Sequence, residues 1–126
     1  MANAAGDMDK KPAYNGRGMR LLACCHIDIG ATGAPTVDAT KCDDPGITIT
    51  RASAGLYNLV YPKCVDVRID IEVMSVTPTV FGAVFLAKSA TAGTAQFRTF
   101  NAAGAATDPA SGDDLNITLI MDCENV

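Results

Sequence analysis

The chain has 126 residues, 48% of them apolar and 19% charged, which fits one folded domain and excludes a disordered or low-complexity polymer. A formal net charge of −4 with scattered Lys and Arg residues speaks against a nucleic-acid binder, because phosphate contacts need a basic footprint. No apolar run approaches the roughly 20 residues of a membrane-spanning helix, and the first residues lack the pattern of a signal peptide, so cytoplasm is the expected site of folding, with no membrane partner.

Residues 1–16 are small, polar and aperiodic, and read as a loose arm ahead of a single domain at 17–126. The one small basic run, Lys10 and Lys11 after Asp9, lies in this arm. The arm either stays solvated or acts as a strap against a neighbouring subunit. In the second case Lys10, Lys11, Tyr14 and Arg17 are the candidate interface residues.

Residues 18–29 read as the first strand, with Leu21, Ala23, Cys25 and Ile27 on one face and Leu22, Cys24, His26 and Asp28 on the other. Both faces begin apolar, which predicts cover on two sides. Residues 30–46 form a long loop closed by Asp44-Pro45-Gly46, a turn in which Pro presets φ and Gly supplies a positive one. Residues 47–51 and 56–61 flank Ala52-Ser53-Ala54-Gly55 and read as a hairpin.

Residues 65–73 alternate aliphatic and charged side chains without a break, with Asp66, Arg68, Asp70 and Glu72 at the even positions. A strand turns successive side chains to opposite faces, so this segment is apolar on one side and wet on the other. The same residues on a helix would scatter around its circumference. The apolar parity flips at Met74 and Val76, which predicts a bulge or bend near Met74-Ser75. Residues 79–87 are continuously apolar and read as a strand covered on both faces. A strand at 95–100, a second long loop at 101–114 and a closing strand at 115–123 complete the chain; Leu115, Ile117, Leu119, Met121 and Cys123 face one way.

Seven to eight short strands with turn signals between them and no stripe of period 3.6 define an all-β chain. The predicted architecture is an antiparallel two-sheet β-sandwich, jelly-roll-like in its connections.

Chemistry is sparse. Five cysteines include no C-x₂₋₄-C pair, and adjacent Cys24 and Cys25 point to opposite faces, so only Cys24 and His26 share a side. No nucleophile elbow accompanies that Cys–His pair, and the paired carboxylates Asp43-Asp44 and Asp113-Asp114 sit in turn sequences. The residues therefore predict no enzyme, no metal ion and no cofactor. Asn116-Ile117-Thr118 matches the glycosylation acceptor pattern but falls inside a predicted strand.

Two stretches carry a resemblance. Residues 50–62, TRASAGLYNLVYP, resemble a hairpin of small phage virion proteins. Residues 97–110, FRTFNAAGAATDPA, followed by DLNITL at 114–119, resemble their closing hairpin. The similarity, over about residues 47–120, is to capsid decoration (cement) proteins and appendage domains of tailed bacteriophages. It implies a β-sandwich structural protein, often a homotrimer, on the outer capsid surface of the virion. There it would bind the major capsid protein and stabilise the shell by bridging its subunits. The arm and the 30–46 and 101–114 loops are the candidate contact elements for such a role. The alternative it implies is a receptor- or glycan-binding domain of a fibre, with Tyr14, Tyr57 and Tyr61 as possible stacking residues.

Overall fold

A computed structural model describes residues 13–14, 19–43 and 46–122. Lys10, Lys11 and Arg17 lie outside the described residues, as do most of the predicted arm and Cys123; Tyr14 is described in its backbone only. Among the described residues nine strands follow in order: β1 (Ala13–Tyr14), β2 (Met19–Ile29), β3 (Pro35–Val37), β4 (Thr48–Ser53), β5 (Leu56–Val60), β6 (Asp66–Met74), β7 (Gly82–Ser89), β8 (Thr94–Phe100) and β9 (Asp114–Asp122). They form two antiparallel sheets. The front sheet has the order β1-β2-β9-β6 with β3 alongside β2, and the back sheet the order β4-β5-β8-β7.

The sandwich is the predicted fold class, and its core follows from strand parity. In β9 the odd positions Leu115, Ile117, Leu119 and Met121 are all buried; β2 adds Ala23, Cys25, Ile27 and Ile29, and β6 adds Val67. The back sheet answers with Ile49, Tyr57, Leu59, Ala95 and Phe97, and these residues join the front ones in a single cluster. The Tyr57 and Phe97 rings stack at 5.4 Å between centroids. Full burial of each such aliphatic or aromatic side chain is worth about 1.5–3 kcal/mol, so this one layer dominates stability.

The connections differ in detail from the sequence reading. A jelly roll passes successive strands between its sheets, whereas β4–β5 and β7–β8 here remain as hairpins within one sheet. The predicted loop 30–46 contains structure of its own. Residues 35–37 pair with β2 (Ile27 opposite Val37, Ile29 opposite Pro35), and 3₁₀ turns at Ala31–Gly33 and Ala39–Lys41 flank them. The outer face of β2 is open rather than covered, with Leu22, Cys24 and Asp28 exposed. Pairing of β6 with β9 runs unshifted from Asp66 to Met74, so no bulge forms there; the strand simply ends and the chain bends after Ser75. The register shifts lie instead between Arg51 and Ser53 and between Phe85 and Ala87.

The second shift corrects the reading of residues 79–87. β7 is an edge strand of the back sheet, with Val84 and Leu86 exposed, and is not covered on both faces. After the shift Lys88 lies opposite inward-facing Ala95, and its ammonium reaches across the open flank to donate to the Val67 carbonyl at 2.6 Å.

Gly55 closes the β4–β5 hairpin at φ 69°, a left-handed conformation that Gly adopts without strain. A Cβ there would lie 2.5 Å from the Thr107 nitrogen and 2.9 Å from the Thr99 oxygen. Gly104 also has a positive φ, of 81°, but nothing lies within 4 Å of its imagined Cβ. Gly55→Ala is therefore expected to cost more than about 2 kcal/mol, and Gly104→Ala about 1 kcal/mol from backbone strain alone. Urea denaturation midpoints of the two variants measure the difference, and equal losses would contradict the close approach at Gly55.

Candidate functional site

One carboxylate locks the scaffold. Asp108 accepts from Arg51 Nε at 3.0 Å and Arg51 Nη2 at 2.8 Å, and from the Gly55 amide at 2.7 Å. Tyr57, buried beside it, donates its hydroxyl to the Gly33 carbonyl at 2.8 Å. The 101–113 segment is thereby pinned to the β4–β5 hairpin and to the turn before β3. Its tip is closed by the Asn101 side chain, which accepts from the Ala103 and Ala105 amides. Asp113, also buried, accepts from the Ala110 and Val76 amides. Both loops expected as contact elements are thus tied to the body of the fold, the first at Gly33 and the second at Asp108 and Asp113.

The Arg51 guanidinium, aided by the Gly55 amide, holds the Asp108 carboxyl below the usual carboxylate range. A depressed folded-state pKa adds stability that is present above the unfolded value and lost as pH falls through the folded one. Stability is expected to decline below about pH 4, and Asp108→Asn to flatten that decline while costing about 2 kcal/mol at neutral pH. Urea titrations at several pH values read both effects.

The two outer faces have opposite character. Every carboxylate carried by the nine strands lies in the front sheet: Asp28 on β2, Asp66, Asp70 and Glu72 on β6, Asp114 and Asp122 on β9. All occupy even positions, opposite in parity to the buried residues, so all face outward. The four back-sheet strands contain no Asp or Glu. Their cations are Arg51, taken by Asp108, Lys88, turned to the flank, and Arg98. Arg98 alone belongs to the outer face, where β8 sets it between Val84 and Leu56, and its shielded Nε has no hydrogen-bond partner. Around it stand Thr50, Asn58 and Gln96, with Val60, Val84 and Leu86 exposed at 44%, 42% and 53%. A shallow depression crosses this face along Asn58, Val60, Thr94 and Gln96.

On the front face His26 lies directly opposite Asn116, and Asp28 opposite Asp114. The imidazole Nδ1 is 2.7 Å from Asn116 Oδ1, and Nε2 is 3.1 Å from Asp28 and 3.6 Å from Asp114. Asn116 in turn donates through Nδ2 to Glu72 at 3.1 Å. Cys24 shares the outer face with His26, as its parity predicts, but the ring nitrogens go to Asn116 and Asp28. Sequence reasoning placed His26 and Asp28 on one face and missed the β9 partners, because Asn116 is 90 residues away and only the β2–β9 register brings them together.

Two of the three tyrosines expected as stacking residues, Tyr57 and Tyr61, are structural. Tyr57 is 0% and Tyr61 3% exposed. The Tyr61 hydroxyl lies within hydrogen-bond reach of the Thr94 and Ser89 carbonyls, and burial pushes its phenol up to about 12. Neither ring offers a face to a sugar.

Thiol reactivity divides in the same way along β2. Cys24 points out and is exposed; Cys25 points in, and burial, reinforced by the adjacent Cys42 thiol, pushes it far above the ordinary range. In native buffer an alkylating reagent is expected to modify Cys24 faster than Cys25 by about tenfold or more, read by peptide mass mapping. Comparable rates would mean that the core opens at β2.

The fold and site define the class as an antiparallel β-sandwich with one acidic and one nearly uncharged outer face. No protein-family model, curated protein or solved structure matches the chain.

Proposed function

We propose that the protein is a structural component of a virus particle, a capsid decoration protein that seats the outer face of its back sheet on the major capsid protein. The observation that carries this reading is the segregation of charge between the two faces. Interface centres are depleted of charged residues, because each carboxylate buried there must shed its hydration. The back sheet meets that requirement with threonine, amide and aliphatic side chains, and carries a single Arg, Arg98, on that face. The acidic front sheet then faces solvent, where like charge keeps finished particles apart.

The resemblance of the two hairpins to phage virion proteins points to a capsid as the surface that is bound, and to a homotrimer as the bound form. Symmetric copies repeat a modest contact around a joint in the shell, so several weak contacts sum to tight attachment. The arm residues Lys10, Lys11, Tyr14 and Arg17 remain the candidate secondary contacts in this scheme. The reading as a receptor- or glycan-binding domain gains nothing from Tyr57 and Tyr61, both spent in the core.

Purified shells lacking the protein provide the test. The double variant Val84→Glu, Gln96→Glu places two carboxylates on the back face and is expected to lower shell occupancy by about tenfold or more, a loss of at least ~1.4 kcal/mol. The front-face variant Asp66→Asn, Asp70→Asn is expected to bind like the unaltered protein. Loss of binding in the front-face variant alone would overturn the proposed orientation. Failure of the unaltered protein to bind any shell would overturn the proposed role.

A further inference from the structure

We infer that the front face carries a binding site for a divalent transition-metal cation, formed by His26 Nε2 with the carboxylates of Asp28 and Asp114. The argument begins with Glu72, whose ionised carboxylate can only accept hydrogen bonds. Asn116 lies 3.1 Å from it and must turn its NH₂ group that way. The amide oxygen therefore faces His26, 2.7 Å from Nδ1. A carbonyl oxygen also only accepts, so Nδ1 carries the ring proton and donates it. Nε2 is then the ring nitrogen left for a metal ion.

Nε2 faces two carboxylate oxygens, at 3.1 Å (Asp28) and 3.6 Å (Asp114). Nε2 and the two carboxylates thus converge on one point of the face, where a single cation would take all three as ligands. Bonds of about 2.0–2.2 Å at tetrahedral angles place neighbouring ligand atoms about 3.3–3.6 Å apart, and the two separations from Nε2, 3.1 and 3.6 Å, lie close to that range. The three ligand atoms all lie within 4.8 Å of one another. An imidazole oriented by an amide oxygen on its far nitrogen is the usual outer support of a metal-binding His. One imidazole with two carboxylates favours zinc and its first-row neighbours, whereas Ca²⁺ asks for six or more oxygens.

The strands supply the rigidity. His26 and Asp28 are two residues apart on β2, Asn116 and Asp114 two apart on β9, and the register sets them as a square block on the same face. The surrounding carboxylates of β6 and β9 raise the local cation concentration. His26 is the best shielded of the three ligands, its side chain 15% exposed against 53% for Asp28 and 37% for Asp114, so the ion would keep open positions toward solvent.

The site is independent of the docking face, and its test uses the full chain and ZnCl₂ alone in a non-coordinating buffer at pH 7.5. Calorimetry is expected to give one ion per chain, weakened about tenfold or more by Asp28→Asn or by Asp114→Asn. Cys24→Ser should leave binding unchanged, and imidazole ¹⁵N shifts should report the ion on Nε2 with the proton retained on Nδ1. If the Cys24→Ser variant loses the ion while the carboxylate variants keep it, the site is a thiol site and the inference fails. It also fails if no stoichiometric binding occurs and the ring titrates with protons on both nitrogens. In that case an imidazolium, rather than a metal ion, bridges the carboxylates.

Discussion

The odd-numbered side chains of β9 must stay dry, and most of the molecule follows from that. Leu115, Ile117, Leu119 and Met121 are at most 1% exposed, in the strand that runs between β2 and β6. A slip of one residue would turn all four to water and bring Asn116 and Thr118 into the core, so the register has no neighbouring alternative. With β9 fixed, β2 and β6 are fixed against it over nine residues each. The outward set is then determined as well: the six carboxylates, His26 and Asn116 are where they are because the other half of each strand is committed to the interior.

Much of this was legible in the residues. The alternation at 65–73 and the odd-position run from Leu115 to Met121 identified two strands of the front sheet and the side each buries. The hairpin around Gly55 was readable because its turn needs a residue tolerant of positive φ. Residues 35–37 were not, since three residues with Pro at their head carry no periodicity and pair only because β2 offers an open edge. Residues 79–87 misled because a run of apolar side chains looks the same in a covered strand and in an edge strand. Tertiary position decides between them, and it placed this strand outermost in its sheet. The His26 cluster was half visible: its β2 members were noted, while the β9 members depend on register between strands far apart in the chain.

The two faces divide the surface into separate physical regimes. On the front sheet, carboxylates stand close enough to repel one another, and the imidazole and its amide neighbour give that charge a focus. On the back sheet, threonine, asparagine and glutamine offer hydrogen bonds without the dehydration cost of a full charge. A chain of net charge −4 has thus placed the acids of its strands on the side away from the proposed partner.

The register shift at Leu86 has a consequence for how copies can associate. A straight, aliphatic rim strand would invite a neighbour to zip onto its unpaired amides, and each added chain would expose the same rim again. The kink between Phe85 and Ala87 breaks that rail, and Lys88 bends back to the Val67 carbonyl instead of extending it. Growth by side-to-side sheet extension, the road to fibres, is thereby discouraged, while contact through the flat of the sheet stays open. A protein with that geometry can tile a surface and still stop.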